Sequence, residues 1–112
     1  MECTFDELGD VLMVKLDGRL VAACVEEVRE QVVKRMERFN NILFDLEKMS
    51  HVDSSGLGVL VLFLQRANAK GGTVKLARLQ PHPRIVFDIT KVYRVFEIFD
   101  SVEAALGSFG TK

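Results

Sequence analysis

The chain contains few residues of several types, and this composition excludes some classes of protein. It has no tryptophan, one tyrosine, two prolines and two cysteines among 112 residues. Cys3 and Cys24 form no C-x-x-C pair and have no histidine near them in sequence, which predicts free thiols in a reducing cytoplasm rather than a disulfide scaffold or a zinc site. Neither sign of charge dominates, because 15 Lys and Arg residues stand against 16 Asp and Glu residues. That balance argues against nucleic acid and against an anionic membrane surface as partners.

Long hydrophobic runs are also missing. The longest, residues 59–64, is far too short to span a bilayer, and the polar start of the chain has no basic region of the kind found in signal peptides. Hydrophobic residues make up 48% and charged residues 28% of the chain, as in ordinary globular domains. We therefore expect one domain over residues 1–112, with no insertion into a membrane and a cytoplasmic location.

Strand-like and helix-like patterns alternate along the chain. Alternating apolar residues predict a strand over 11–17 that ends at Gly18, and a shorter strand near 3–7 precedes it in a hairpin. A 3.6-residue period predicts an amphipathic helix over 21–39. The later segments are predicted as a strand at 42–46, a loop at 47–52, a helix at 54–70, a strand at 73–78, a helix at 81–89, a strand at 95–99 and a helix at 100–106. The order β-β-α-β-α-β-α-β-α predicts an α/β fold whose mixed, largely parallel sheet carries about four helices.

The start of the predicted 54–70 helix combines several unusual residues. Asp53 is placed to cap the helix by accepting from the amide of residue 55 or 56. Ser54 would then occupy the first helical position with its hydroxyl in solvent. Ser55 could cap the helix or be a minor phosphorylation site, and we favour the cap. Gly56 and Gly58 each cost a helix about 1 kcal/mol relative to alanine. Either they leave room for another protein's active site to approach, or they allow tight packing on the sheet.

A hydroxyl at a helix N-terminus is a suitable position for a phosphoryl group. The free amides and the positive end of the helix dipole stabilise an anion there. Phosphorylation of Ser54 would add about 1.5 to 2 negative charges beside Asp53. We expect the fold to stay intact and the effect to fall on a docking surface, for which His51, Val52, Ser54 and Leu57 are the candidate partner-binding residues.

The sequence gives weaker support to an enzyme or a metal site than to a phosphorylated docking surface. His51, Asp53 and Ser54 are almost adjacent in sequence, and no nucleophile-elbow motif accompanies them, so no catalytic residue is predicted. Asp45 and Glu47 have no histidine or cysteine at a spacing suited to a metal site. We therefore expect no metal, no cofactor and no enzymatic activity, and His82 is predicted to be an ordinary surface residue.

The segment around Ser54, with the element order around it, resembles the STAS domain, and most closely the free-standing anti-sigma factor antagonists of bacteria. The residues that carry the resemblance are 16–20 (LDGRL), 42–46 (ILFDL), 52–60 (VDSSGLGVL), 71–72 (GG) and 99–106 (FDSVEAAL). The D-S-S-G-L-G stretch is specific because it follows a predicted buried strand and opens a predicted helix.

The resemblance implies a partner-switching cycle. In this cycle the unphosphorylated antagonist binds an anti-sigma factor, which is also a serine kinase of histidine-kinase-like fold, and thereby frees a sigma factor. The kinase then phosphorylates the first serine of the motif, which matches Ser54, and a phosphatase of the PP2C class resets the antagonist. The alternative is a constitutive STAS scaffold or subunit of a lipid-transport or signalling assembly, with no phosphorylation switch.

Two positions depart from the family pattern. Many relatives have an acidic residue after the Gly-Arg-Leu turn as the cap of the first helix, and this chain has Val21 there. A Gly-Leu pair usual after the third helix is replaced by Lys91-Val92. Neither change touches Ser54, but both bear on which partner the chain would bind.

Overall fold

The structure is a computed structural model that describes residues 1–110. Its strands are β1 (Glu2–Leu8), β2 (Val11–Leu20), β3 (Asn41–Asp45), β4 (Met49–Val52), β5 (Thr73–Ala77) and β6 (Glu97–Phe99). Its α-helices are α1 (Val25–Met36), α2 (Ser54–Ala69), α3 (Pro81–Thr90) and α4 (Val102–Ser108). Short 3-10 turns at Ala22–Cys24 and Val92–Arg94 precede α1 and follow α3.

The strands form one mixed sheet in the order β1-β2-β3-β5-β6. β1 is antiparallel to β2, while the β2–β3, β3–β5 and β5–β6 pairs are parallel. The predicted fold class, a mostly parallel α/β sheet with four helices, is confirmed.

The two faces of the sheet bury different helices. Because side chains alternate along β2, Leu12, Val14 and Leu16 point into the large core shared with α1, α2 and α3. The rings of Phe44 and Phe63 stack in this core at a centroid distance of 5.5 Å. On the opposite face, a smaller cluster that includes Val11 and Met13 is covered by α4.

The prediction of a loop at 47–52 was wrong, because residues 49–52 form β4. The prediction that the second strand ends at Gly18 was wrong for a linked reason. Gly18 adopts a positive φ of 119°, so the strand passes through a bulge at Gly18/Arg19 and continues to Leu20. The extended end of β2 pairs in parallel with β4, and the Gly18 amide donates to the Lys48 carbonyl at 3.0 Å. The buried and exposed residues of β4 do not alternate, which is why a period-2 pattern does not reveal it.

The first helix is shorter than the predicted 21–39. It begins after a 3-10 turn and ends at Met36, although Phe39 still packs against the core. The last strand begins at Glu97 rather than at residue 95, because the chain from Val92 to Arg94 forms a 3-10 turn. The remaining predicted elements are confirmed within two residues at each end.

Helix α3 ends at one of the two departures from the family pattern. Lys91 has φ 62° and ψ 20°, the left-handed conformation that glycine adopts most easily. A glycine would therefore adopt the backbone conformation of this position with less strain than a lysine. Lys91 adopts this conformation at the end of α3, and the chain continues directly into the 3-10 turn at Val92–Arg94.

A polar network lies where β3 and β5 end. Arg78 donates through Nε and Nη2 to the two carboxylate oxygens of Asp45 at 3.0 and 2.6 Å, and its Nη2 also lies 3.2 Å from Glu47. Asp45 is only 3% exposed, and its hydrogen bonds with Arg78 raise the pKa of Arg78 above the ordinary value.

Residues 1–110 contain no helix that is long and apolar enough to cross a membrane.

Candidate functional site at the start of helix α2

Ser54 is the first residue of α2 and is exposed. It follows directly from β4, whose pairing with the end of β2 fixes where the helix begins. The Asp53 amide donates to the Leu20 carbonyl at 3.3 Å, which continues this pairing up to the helix cap. The site is therefore built on two strand ends and a helix start rather than on a free loop.

Asp53 caps α2, as the sequence predicts. Its Oδ1 accepts from the Gly56 amide at 2.9 Å. Ser55 is exposed beside it, and the capping bond is made by Asp53 rather than by Ser55. Hydrogen bonds from backbone amides, that of Gly56 above all, lower the pKa of Asp53 below its ordinary value.

The second oxygen of Asp53 makes a contact that the sequence does not reveal. Oδ2 accepts from the Ala22 amide at 3.0 Å, across 31 positions of sequence. Val21 itself supplies no side-chain cap to the turn that leads into α1. Asp53 thus supplies, from a distant segment, the acceptor for this turn that the side chain of Val21 does not provide.

The two glycines of the site have different surroundings. A Cβ on Gly56 would lie 2.2 Å from the Leu20 carbonyl oxygen and 2.9 Å from a Val52 methyl group, so Gly56 serves tight packing against the sheet. A Cβ on Gly58 would meet nothing within 4 Å. Gly58 lies one helical turn after Ser54 and is exposed, so no side chain stands beside the Ser54 hydroxyl at this position.

The four candidate partner-binding residues comprise two with exposed side chains and two with buried side chains. His51 and Ser54 are exposed, whereas the side chains of Val52 and Leu57 are buried in the core. The buried pair cannot present a side chain to a partner in this conformation. They fix the positions of β4 and α2 instead.

His51 lies against a residue from a distant part of the sequence. Its ring is 5.3 Å from that of His82, at the start of α3, in an edge-to-face arrangement. His82 is exposed, as predicted. A shallow groove between β4 and α3 is lined by both histidines together with Glu47, Lys48, Met49, Ser50, Gln80, Pro81 and Pro83.

The geometry does not form a hydrolytic triad from His51, Asp53 and Ser54. Both oxygens of Asp53 accept from backbone amides, and Nδ1 of His51 lies 2.9 Å from the hydroxyl of Ser50. Over residues 1–110, no cluster of three or more His, Cys, Asp or Glu side chains is suited to a metal ion. What the site offers is an exposed hydroxyl beside the amide end of a 16-residue helix.

Comparison with known families decides what this arrangement belongs to. The family model of the STAS domain matches residues 3–105. The chain belongs to the STAS domain family. This STAS domain is 28% identical over 112 residues to BtrV of Bordetella bronchiseptica, which is named as an anti-sigma factor antagonist, covering 99% of this chain and 97% of that one. It is 30% identical over 98 residues to the anti-sigma F factor antagonist of Paenibacillus polymyxa, covering 86% and 84%.

Solved structures agree with the fold of this STAS domain. A crystal structure from Thermotoga maritima, also named as an anti-sigma factor antagonist, has a TM-score of 0.91 at 21% identity and covers 97% of this chain and 95% of that one. The anti-sigma factor antagonist SpoIIAA in its unphosphorylated form has a TM-score of 0.81 at 21% identity and covers 94% and 93%. SpoIIAA of Bacillus is also known in a phosphorylated form, with a TM-score of 0.74 at 21% identity and coverage of 96% and 98%. Proteins with such names are regulators and not enzymes.

Proposed function

We propose that this STAS domain is an anti-sigma factor antagonist controlled by phosphorylation of Ser54. The observation that carries the proposal is the exposed Ser54 hydroxyl at the first position of α2, beside the open surface at Gly58. The similarity to anti-sigma factor antagonists over nearly the whole chain supports it. The partner would be an anti-sigma factor with serine kinase activity, met in the cytoplasm.

In this proposal the chain is the substrate of the kinase and not a catalyst. The Ser54 oxygen attacks the γ-phosphorus of ATP bound with Mg²⁺ by the kinase. The bond from that phosphorus to the β,γ-bridging oxygen breaks, ADP leaves, and the hydroxyl proton passes to a base of the kinase. A PP2C-type phosphatase would later hydrolyse the phosphoserine and restore the hydroxyl.

Electrostatics explains how one modification could release the partner without unfolding the domain. The first turn of α2 provides backbone amides and a partial positive charge, both of which stabilise phosphate oxygens. The phosphoryl group would take the net charge from −1 to about −3 and would sit beside the ionised Asp53. A surface that fitted a neutral hydroxyl closely would then face an unpaired dianion, which weakens the complex.

The direct test is phosphorylation by a candidate serine kinase encoded beside this gene, in the presence of ATP and Mg²⁺. We expect a mass gain of one phosphoryl group, located on Ser54 by peptide mass spectrometry. Ser54→Ala should abolish the gain and keep the affinity for the kinase. Ser54→Asp should weaken binding at least tenfold.

Ser55→Ala is the matched control, because Ser55 is also exposed and lies one position later. It should still gain one phosphoryl group. Phosphate on a residue other than Ser54, or equal kinase affinity of the wild type and Ser54→Asp, would contradict the switch. That result would leave the constitutive scaffold as the function of the domain.

A further inference from the structure

The exposed apolar side chains of this domain are concentrated in one stretch. Within residues 1–110 the large hydrophobic residues with exposed side chains are Leu8, Ile85, Ile89, Tyr93 and Val95. Four of them lie within eleven positions, on α3 and the turn that follows it, with exposures of 52%, 76%, 42% and 55% in chain order. We call these four residues the α3 ridge.

Helix periodicity explains why part of the ridge forms one face. Pro83 and Phe87, one turn apart, are the buried residues of α3. Ile85 and Ile89, also one turn apart, lie on its solvent side. Two exposed isoleucines in this arrangement do nothing for the core, whereas a scattered exposed leucine such as Leu8 is ordinary on any surface.

The α3 ridge is continuous with the surface around Ser54. His82 is exposed and precedes Ile85 by three positions, so it lies on the same side of α3. Its ring is 5.3 Å from that of His51, which is three residues before Ser54. The two histidines, which both line the groove between β4 and α3, therefore connect the segment just before Ser54 with the first turn of α3, and the ridge begins one turn later.

The immediate surroundings of Ser54 offer little apolar area for binding. Ser55 and Gly58 are its exposed neighbours on α2, and Val52 and Leu57 are buried. Stable interfaces owe most of their affinity to a few large apolar or aromatic side chains that become fully desolvated. The α3 ridge is the part of the described surface that can supply them.

Charges around the ridge indicate what kind of surface would cover it. Three basic residues, Arg84, Lys91 and Arg94, which we call the basic rim, lie on or beside the ridge. The carboxylates near it are Asp88 on α3 and Glu97 at the start of β6, and Glu97 lies 3.6 Å from the Lys75 ammonium group. In residues 1–110, Lys91 and Arg94 take part in none of the ion pairs within 4 Å. Two copies of this basic rim would repel each other, so a symmetric dimer through the ridge is disfavoured and an acidic partner is favoured.

We propose that the partner that docks on Ser54 also covers the α3 ridge, with an apolar patch bordered by carboxylates next to its catalytic cleft. This inference rests on the proposed function and adds to it a second contact region. The ridge would provide most of the affinity, and the Ser54 surface would provide the control by phosphorylation.

The test compares aspartate substitutions on and off the ridge. Ile85→Asp and Ile89→Asp should each raise the Kd for the Ser54 kinase, measured by calorimetry with ADP and Mg²⁺, at least tenfold. Leu8→Asp is the matched control and should leave the Kd unchanged, since Leu8 is exposed on β1, away from α3. Thermal melting of each variant verifies that the domain is folded.

Two further measurements separate the docking step from phosphoryl transfer and test whether the basic residues beside the ridge contribute to binding. In phosphorylation assays the ridge variants should raise the KM for this substrate while kcat at saturation stays within twofold of wild type. Lys91→Glu with Arg94→Glu should weaken kinase binding at least fivefold, and the wild-type affinity should fall with added salt.

The outcomes distinguish this inference from the proposed function. If Ser54 is phosphorylated but the folded ridge variants bind the kinase as the wild type does, the ridge inference is wrong and the switch stands. If sedimentation shows a wild-type dimer that Ile89→Asp dissociates with no change in kinase affinity, the ridge belongs to a second copy of the chain. If no candidate kinase labels Ser54, the proposed function fails and the ridge inference fails with it.

Discussion

At the scale of the residue, Asp53 connects two segments that are far apart in sequence. One carboxylate oxygen accepts from the Gly56 amide in α2, and the other accepts from the Ala22 amide in the turn before α1. Since each oxygen accepts from a backbone amide, Asp53 holds the start of α2 and the turn before α1 together. The hydrogen bonds of this cap do not involve the Ser54 hydroxyl, so the proposed phosphorylation of Ser54 would not need to break them.

The lowered pKa of Asp53 predicts a pH-dependent contribution to stability. A carboxyl group whose pKa is lower in the folded chain stabilises the fold above its unfolded pKa of about 3.9. That contribution is lost as the pH falls through the folded value. Asp53→Asn, which keeps a capping oxygen, should therefore be less stable than wild type at pH 7 and nearly equal to it in strong acid. Urea unfolding followed by circular dichroism across this range measures the difference.

Asp53→Ala is the companion variant, because alanine cannot cap a helix. It should lose about 1 to 2 kcal/mol at pH 7 and should remain less stable than wild type in acid, where a protonated Asp53 still offers a carbonyl oxygen. A gap between wild type and Asp53→Asn that stays constant with pH would contradict an ionised cap.

At the scale of the element, the first two turns of α2 contain two glycines with different surroundings. Gly56 lies against the Leu20 carbonyl, so it fixes the helix close to the end of β2. Gly58 faces open space and contributes nothing to packing. Its cost to the helix is therefore unexplained by the fold and is consistent with a partner that approaches closely.

The same substitution, glycine to alanine, distinguishes the structural roles of Gly56 and Gly58. Gly56→Ala should destabilise the domain by about 2 kcal/mol or more, because the added methyl group overlaps backbone that cannot easily move. Gly58→Ala should stabilise it by up to about 1 kcal/mol, through higher helix propensity alone. Chemical unfolding of both variants measures these shifts.

The affinity for the kinase tests whether the open space at Gly58 is used by a partner. If Gly58 allows a partner to approach, Gly58→Ala should weaken kinase binding although the domain is more stable. Kinase binding unchanged by Gly58→Ala would show that the open space at Gly58 is not used in docking.

At the scale of the whole molecule, the pair of Asp45 and Arg78 joins the strand ends below the site. The Leu46 amide donates to the Ala77 carbonyl at 2.9 Å, and the Arg78 amide donates to the Phe99 carbonyl at 2.8 Å. These bonds link the ends of β3, β5 and β6. The Asp45–Arg78 pair lies at the same place, where the chain leaves β3 for β4 and the start of α2.

Removing the guanidinium should destabilise the whole domain. Arg78→Met leaves the buried Asp45 carboxylate without its cation, at an expected cost of about 3 kcal/mol. The exposed pair of Arg29 and Glu26 gives the control, since Arg29→Met should change stability little. In the double variant of Arg78→Met with Asp45→Asn, part of the loss should be recovered. Equal losses for Arg78→Met and Arg29→Met would contradict a stabilising role for the buried pair.

The sequence by itself determined most of the element types and the helix cap at the start of α2. Hydrophobic periods of two and 3.6 residues depend only on local geometry, so they identified nearly every strand and helix. The capping role of Asp53 is likewise local, because a cap and the amide it binds are three residues apart.

Only the tertiary structure decided what depends on contacts between distant segments. β4 exists because Gly18 lets β2 bulge and continue, and its four residues have no alternating pattern of their own. The different surroundings of Gly56 and Gly58, and the bond from Ala22 to Asp53, follow from that pairing. The physical reason is that burial and long-range hydrogen bonds are properties of neighbours in space, which a local pattern of residues does not encode.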